Sequence, residues 1–176
     1  MGVLISSSLF VGKFAIPQTA YTALDALIND TEENYLSELF GADMYADFKS
    51  QLTGAPPKPT GTGYLNVYNP LRVDYGSKVY KSKGLITMLL GFTFFDFMRQ
   101  NMYIPTQVGM TIKTPPDTQQ YVEEANLYSY LNDATSTYKA IQYYIQNIHA
   151  ELFPPNIGNE TVVYNGQKKD YGISGL

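Results

Sequence analysis

The sequence predicts a mainly α-helical protein: a small helical bundle with one long C-terminal helix, a long Pro/Gly-rich loop, a short β element and extended N- and C-terminal arms. Three observations support this class. Apolar residues recur at helical spacing in several stretches, the longest over 121–152. Residues 53–70 are rich in Pro and Gly and lack that period. Residues 1–16 and 154–176 carry no periodic apolar face, so one helical domain, 17–153, is predicted between two arms.

The N-terminal arm, residues 1–16, alternates small and apolar side chains, and one strand is predicted between Phe10 and Phe14. Because this arm and the C-terminal tail, 154–176, have no packed face of their own, we expect both to order only against other chains. Pro17 suits the first turn of a helix. Apolar spacings of three and four then continue this first helix to Asn29.

Two further short helices are predicted on either side of Gly41. A capping box formed by Asp30 and Glu33 starts the first of them, which runs to Phe40, and the second covers Ala42–Leu52. Glycine in a helix interior costs about 1 kcal/mol relative to alanine. Gly41 therefore predicts a bend. The bend is either a simple C-cap or a corner that contacts a neighbouring chain, and the sequence leaves both possibilities open.

The Pro/Gly-rich segment, 53–83, is predicted to project from the bundle as a loop. Its YLNVY and LRVDY sequences alternate in a way that predicts a strand pair. Helix resumes near Ser77 or Ser82 and carries an apolar stripe to Met98.

A short strand is predicted over Val108–Lys113, with a tight turn or bulge at Gly109. The final helix has the clearest signals in the sequence. A cap residue followed by two prolines, at 114–117, starts it, its apolar stripe continues to Leu152, and two prolines then end it. At 1.5 Å per residue, this helix is a rod of about 50 Å.

The composition argues against several classes of protein. The chain has 176 residues and a net charge of −4, whereas nucleic-acid readers carry a basic face. It has no Cys and one His, His149, so thiolate zinc sites and multi-histidine metal sites are excluded within a single chain. The most apolar stretch, 84–98, is too short to span a bilayer and contains Asp96, which predicts a buried core helix and no membrane partner.

Catalytic motifs are not evident in the sequence, which contains no nucleophile elbow, P-loop or dinucleotide fingerprint. Two pairs of adjacent carboxylates, Glu32-Glu33 and Glu123-Glu124, lie near predicted helix N-termini, where acidic side chains favour the helix dipole. We interpret both pairs as solvated first turns. The prediction is a protein that is not an enzyme and that needs no cofactor or metal.

Tyrosine is unusually frequent: the chain contains 16 Tyr and no Trp. Tyrosine combines a large apolar body with a hydrogen-bonding tip and is enriched at protein contacts. Many of these residues lie outside the helical stripes, which favours an interface role over a core role. The candidate interface residues are Phe10, Phe14, Gly41, Tyr64, Tyr68, Tyr75, Tyr103, Tyr164 and Tyr171.

The order of several motifs carries a resemblance to a known family. Short helices ending in YLSELFGADMYADF, a loop, the helix GLITMLLGFTFFDFMRQN, then PTQVGMTIK and a long final helix follow one another over residues 17–153. This arrangement resembles the head-to-tail connector proteins of tailed bacteriophages, and it looks closest to the neck ring proteins of crAss-like phages. The Pro-rich loop and the tail are the parts in which such proteins differ most.

The resemblance implies a structural virion protein, made in the host bacterial cytoplasm and located in the neck or tail of the particle. It implies a homo-oligomeric ring, a dodecamer, that contacts the portal protein and other neck or tail ring proteins and lets double-stranded DNA pass. The acidic net charge suits a conduit with little phosphate affinity. Basic residues nevertheless cluster at Lys78, Lys81 and Lys83 and at Lys168-Lys169, where they face acidic partner proteins or hold DNA locally.

Two alternatives remain open at the level of sequence. One is a tail-completion or tail-terminator subunit of the same type of particle. The other, from a different class, is a monomeric helical protein-binding module.

Overall fold

The computed structural model describes residues 4–75, 77–106, 109–112 and 124–148. In this part of the chain five α-helices surround one apolar core and three two-stranded antiparallel sheets lie at the periphery. The helices are α1 (Tyr21–Phe40), α2 (Ala42–Ser50), α3 (Thr62–Tyr68), α4 (Leu85–Met102) and α5 (Glu124–Tyr143), the last continued by a π-helical turn (Tyr144–Ile148). The strands are β1 (Leu52–Thr53), β2 (Lys58–Pro59), β3 (Leu71–Tyr75), β4 (Lys78–Ser82), β5 (Tyr103–Thr106) and β6 (Gly109–Ile112). The predicted class, a small helical bundle with a long C-terminal helix and short β elements, is confirmed.

The centre of the bundle is the contact between α4 and α5. Helix α4 is apolar around most of its circumference, and Leu85, Met88 and Leu89 are fully buried. A helix that is apolar on all sides needs partners on all sides. At Gly91 the two backbones approach so closely that a Cβ atom would lie 2.9 Å from the Ala134 Cβ and 3.3 Å from the Tyr130 carbonyl oxygen. Two of the smallest residues therefore face each other at this crossing.

Substituting Gly91 with alanine tests this close approach. Alanine is normally favoured over glycine inside a helix by roughly 0.5–1 kcal/mol. Here the added methyl group overpacks the crossing, and we expect Gly91→Ala to lower the free energy of unfolding by about 1–3 kcal/mol. Urea denaturation measures the change. Adding Ala134→Gly should recover part of the loss, whereas Ser136→Ala on the exposed face of α5 should change stability by less than about 0.5 kcal/mol. A Gly91→Ala protein more stable than the wild type would contradict this packing.

Helix α1 is continuous from Tyr21 to Phe40, so the predicted break at Asn29 and the capping box that followed it are wrong. Leu24, Ile28, Leu36 and Leu39 lie on one buried face, and Thr31 and Glu32 are buried between them. This unbroken inward face packs on α4, where the ring of Tyr35 stacks on that of Phe92 with centroids 4.0 Å apart. Tertiary packing thus overrides the local cap signals.

The predicted bend at Gly41 is confirmed. Gly41 has φ 75° and ψ 166°, a backbone conformation that side chains rarely adopt, and it ends α1 and begins α2. Its N–H donates to the Ser37 carbonyl at 2.8 Å, and its carbonyl accepts the Tyr45 N–H at 3.0 Å. Gly41 therefore serves as the cap between two helices, and a contact with a neighbouring chain at this corner stays a prediction.

The N-terminal segment, residues 4–16, packs against the core of its own chain. This corrects the expectation that the arm orders only against other chains. Its apolar side chains fill the core of the subunit: Leu4, Ile5, Phe10, Phe14 and Ile16 are all buried. In place of the predicted strand it forms single 3₁₀ turns, Ser7–Leu9 and Gly12–Phe14, followed by Gln18–Ala20 before α1. Irregular spacing lets these side chains enter gaps that a regular element would miss.

A buried carboxylate holds the start of this segment. One oxygen of Glu32 accepts the backbone N–H groups of Leu4 at 2.8 Å and Ile5 at 2.6 Å. Glu32 is only 2% exposed, whereas Glu33 beside it is exposed. The prediction that both are solvated helix-start residues is therefore wrong for Glu32. A buried charged group requires such hydrogen bonds, and the buried N–H groups require an acceptor.

Removing the Glu32 carboxylate should detach the N-terminal segment. We expect Glu32→Ala to lower the free energy of unfolding by about 2–4 kcal/mol, because two buried N–H groups lose their acceptor. Glu32→Gln keeps an acceptor oxygen and should cost less. Limited proteolysis should also cut before residue 16 faster in Glu32→Ala than in the wild type. The matched control is Glu33→Ala. Equal stability of the two alanine variants would show that the Glu32 carboxylate does not hold the N-terminal segment.

The segment 53–83 is largely folded, so its description as a projecting loop holds only for part of it. YLNVY lies in α3 and is not a strand, because Tyr64 and Val67, three residues apart, bury one helical face. LRVDY is a strand, β3, but its partner is KVYKS in β4. Helix α4 begins later than predicted, at Leu85, after Ser82 Oγ accepts the Gly84 N–H at 3.0 Å.

The other predicted elements are found in part: α2 ends at Ser50 and not at Leu52, and β5 is a strand that was not predicted. Strand β6 covers most of the predicted strand and pairs with β5, with Gly109 opposite Thr106 at the turn. The predicted start of the last helix, at 114–117, and its end near Leu152 lie outside the described residues, as does the tail 154–176. Within the described helices, none is long and apolar enough to cross a membrane.

Candidate interaction surface

The β3–β4 hairpin has one face in the protein and one in solvent. Val73 and Ser82 are buried and Tyr80 is half-buried, so these side chains form the inner face. The alternate positions form the outer face, on which Arg72 lies opposite Lys81 and Asp74 lies opposite Val79. All four outer side chains are exposed, and Val79 is one of the most exposed large apolar residues described, at 49%. We call these four residues the hairpin outer face.

The charges of the hairpin outer face do not balance. Arg72 Nε donates to both carboxylate oxygens of Asp74, at 3.0 and 3.1 Å, so this carboxylate is already engaged. Lys81 faces Arg72 directly across the strands and makes no hydrogen bond or ion pair with the described residues. Like charges at opposed positions destabilise a strand pair. Lys78 is exposed near the hairpin turn, but its position alternates with Tyr80 and Ser82, so it does not belong to the hairpin outer face.

The base of the hairpin is anchored to α5. The rings of Tyr80 and Tyr143 stack with centroids 4.6 Å apart and an interplanar angle of 14°. At the end of β4, the Lys83 N–H donates to Thr137 Oγ1 at 3.3 Å, and its ammonium group forms an ion pair with Asp133. These contacts fix the orientation of the outer face relative to the helical core.

A second cation also reaches Asp133. Lys13 Nζ lies 4.0 Å from the Asp133 carboxylate and 4.6 Å from the centre of the Phe14 ring. The cleft between Lys13, Lys83 and Gly91 has a volume of about 10 Å³, which accommodates no more than a water-sized group. The side chains of Lys13, Lys83 and Asp133 are about half exposed, so the ion pairs between them contribute little stability. The cluster connects the N-terminal segment and the end of the hairpin to α5.

The opposite charge is concentrated on α1 and α2. Helix α1 contains no Lys or Arg, and its exposed side carries Asp30, Glu33 and Glu38. Asp43 is exposed at the start of α2. We call these four exposed residues the α1–α2 acidic face. In the part of the chain that the structure describes, no three acidic or histidine side chains group to hold a metal ion.

Three of the candidate interface residues belong to the core, which corrects their assignment. Phe10 is 1% exposed, Phe14 packs edge-on against Phe94 at 5.8 Å, and Tyr64 is 2% exposed. The Tyr64 hydroxyl lies 2.8 Å from Asp47 Oδ2 and 3.1 Å from the Met44 carbonyl oxygen. Position outside a helical stripe suggested exposure, but the 3₁₀ turns and α3 carry these rings inward.

The other candidates are dispersed. Gly41 is at the bend, and Tyr68 is half-buried, with its hydroxyl 3.5 Å from the Pro57 carbonyl. Tyr75 and Tyr103 lie on β3 and β5, where only the backbone is described. Tyr164 and Tyr171 lie outside the described residues. The candidates therefore do not form one surface within the described structure, and their interface role stays a prediction.

The hairpin outer face was only partly foreseen. The lysine cluster was noted in the sequence, but Arg72 and Val79 were not linked to it because LRVDY was paired with the wrong segment. Two alternating runs, LRVDY and KVYKS, separated by Gly76 and Ser77, were the available signal. For Glu32, the signal was a carboxylate between Ile28 and Leu36, four residues from each on one apolar stripe.

The Tyr64 hydrogen bond makes stability sensitive to alkaline pH. Burial, followed by the hydrogen bond to Asp47 and the charge of that carboxylate, raises the pKa of Tyr64 well above its ordinary value of 10.0. Because the folded-state pKa is raised, this stabilisation is present below the ordinary pKa and is lost as pH rises above it. We expect Tyr64→Phe to cost about 1–2 kcal/mol at neutral pH.

Urea unfolding of the wild type and Tyr64→Phe over a series of pH values measures this linkage. The difference in unfolding free energy between the wild type and Tyr64→Phe should become smaller as pH rises through the alkaline range. The pKa of Tyr45 is also raised, by burial and then by the charges of Glu32 and Glu33, so both proteins should lose some stability there. A difference that stays constant with pH would show that Tyr64 does not carry the effect.

Comparison with known proteins finds no match for the chain among family models, curated proteins or solved structures.

Proposed function

We propose that this protein is a structural subunit of the neck of a tailed bacteriophage, where many copies form a ring that joins the portal to the tail. One structural observation supports the proposal most: a single firmly packed helical unit carries two separate exposed surfaces of opposite charge. The hairpin outer face, on strands β3 and β4, is cationic. The α1–α2 acidic face lies on two helices of the same unit. A subunit with two different complementary surfaces is suited to head-to-tail assembly, which yields closed rings when the rotation between copies closes.

Such a ring acts by geometry and charge and performs no chemistry. The subunit supplies a rigid body, in which α4 and α5 fix the helical core and Tyr80 fixes the hairpin on α5. The net charge of −4 per copy gives the bore little attraction for phosphate, so DNA passes without being held. The portal protein and other neck or tail rings are the proposed partners, and the virion is the proposed location.

Two other functions make different demands on assembly. A tail-completion or terminator subunit would also form a ring but would bind the tail tube and leave the portal unoccupied. A helical protein-binding module would work as a monomer. The two exposed surfaces of opposite charge favour an assembling subunit over a monomeric module. In a monomer, surfaces of opposite charge on different elements add little to stability.

Stoichiometry with the portal tests the proposal. Purified protein, alone and mixed with the portal protein and with tail-tube protein of the same phage, is analysed by native mass spectrometry. We expect a complex with portal in which the number of copies follows the portal symmetry, a dodecamer by resemblance. The control is the portal of an unrelated phage. Binding to tail tube alone would favour the terminator, and a monomer that ignores both partners would favour the binding module.

A further inference from the structure

We infer that the hairpin outer face is the surface through which one copy of this chain docks on the α1–α2 acidic face of the next copy. This inference deepens the proposed ring and rests on it, since it names the contact between neighbouring subunits. It assigns a partner of definite chemistry, a second copy of the same chain, to an unpartnered sheet face.

The hairpin outer face requires an anion that its own subunit does not supply. Arg72 and Lys81 are opposed across the strands, the Asp74 carboxylate is taken by Arg72, and Lys81 has no partner among the described residues. Carboxylates from outside would relieve the repulsion between the opposed cations. Val79, exposed beside these charges, adds the apolar contact that a protein partner can cover and that a nucleic-acid backbone cannot.

The acidic partner surface is present on the same chain. Residues 21–48 include seven of the sixteen carboxylates of the protein and no Lys or Arg. On α1, Asp30 lies near the centre of the exposed arc, with Glu33 and Glu38 on either side of it. Charge complementarity of this kind directs the approach and the register of two surfaces. Because the hairpin packs on α5 whereas α1 packs on α4, the contact is heterologous and repeats from copy to copy.

DNA is a less suitable occupant. Only Lys78 and Lys81 remain uncompensated on the hairpin, and the acidic remainder of the chain repels a phosphate backbone. A second reading of the same residues is that the lysines only keep the hairpin edge from pairing with other strands. The experiment below separates both from the proposed contact.

Charge reversal on the hairpin separates folding from association. Lys81→Glu places a carboxylate opposite Arg72, so the hairpin itself should become more stable, while docking on an acidic face should be lost. We use Lys81→Glu and measure self-association by sedimentation velocity at low and high salt. The matched control, Lys139→Glu, makes the same type of charge change on an exposed position of α5.

The expected result is wild-type association that weakens as salt rises, because exposed charges are screened. Lys81→Glu should associate at least about tenfold more weakly, and Lys139→Glu should resemble the wild type. The converse variant, Asp30→Lys/Glu33→Lys, should also associate weakly with itself. A mixture of the two reversed proteins should recover association, because the acidic hairpin of one protein then meets the basic α1–α2 face of the other, and the basic hairpin of the second meets the acidic face of the first.

Several outcomes would overturn the inference: a wild type that stays monomeric at high concentration and low salt, a Lys81→Glu variant that associates like the wild type, or a mixture that does not recover association. Equal weakening by Lys139→Glu would show an effect of net charge alone. Hairpin-dependent binding of duplex DNA in a gel-shift titration, without self-association, would assign the surface to nucleic acid.

The inference and the proposed function fail in different ways. A protein that binds portal with fixed stoichiometry despite a reversed hairpin would leave the neck function standing and remove the docking contact. Hairpin-dependent association without portal binding would support the contact and remove the neck function.

Discussion

The close contact of α4 and α5 at Gly91 and Ala134 is the constraint on which the rest of the structure depends. With no larger side chain at this crossing, the two helices approach until Gly91 leaves no space for a methyl group. Several elements then pack on this pair: α1 on α4, the β3–β4 hairpin on α5, and the N-terminal segment on both through Phe14. A change in the α4–α5 distance would therefore shift the charged surfaces relative to each other.

The N-terminal segment shows how an irregular chain can be as well anchored as a helix. Its apolar side chains supply the burial, and the Glu32 carboxylate satisfies the backbone N–H groups that burial removes from water. A carboxylate in this position contributes specificity as well as stability, since an apolar residue of similar size would leave both donors unsatisfied. Residues 4–16 are therefore ordered by contacts within the same chain. The proposed contacts with neighbouring copies use the charged outer surfaces instead.

The separation of charge links the fold to the proposed assembly. Carboxylates are concentrated on α1 and α2, whereas the hairpin carries opposed cations on a face held outward by the Tyr80–Tyr143 stack. Exposed ion pairs add little to the stability of a single subunit. Between subunits they select the partner and the orientation, and in a ring the same selection is repeated at each contact. The proposed neck ring thus needs no chemistry beyond complementary surfaces and an acidic conduit.

The sequence by itself determined the helical class, the bend at Gly41 and the burial of α4, because these follow from apolar period, backbone freedom at glycine and overall hydrophobicity. Only the tertiary structure decided the continuity of α1, the burial of Glu32, the helical state of YLNVY and the pairing of LRVDY with KVYKS. Each of these depends on what lies on the other side of the element. Asn29 and Asp30 carry helix-end signals, but α4 offers one continuous surface to α1. Tyr64 lies in a loop-like sequence, but its ring is buried, and its hydroxyl donates to Asp47 and lies 3.1 Å from the Met44 carbonyl oxygen. Local sequence sets the preference of a segment, and the surface that it packs against decides which face is buried and therefore which residues are left to contact a partner.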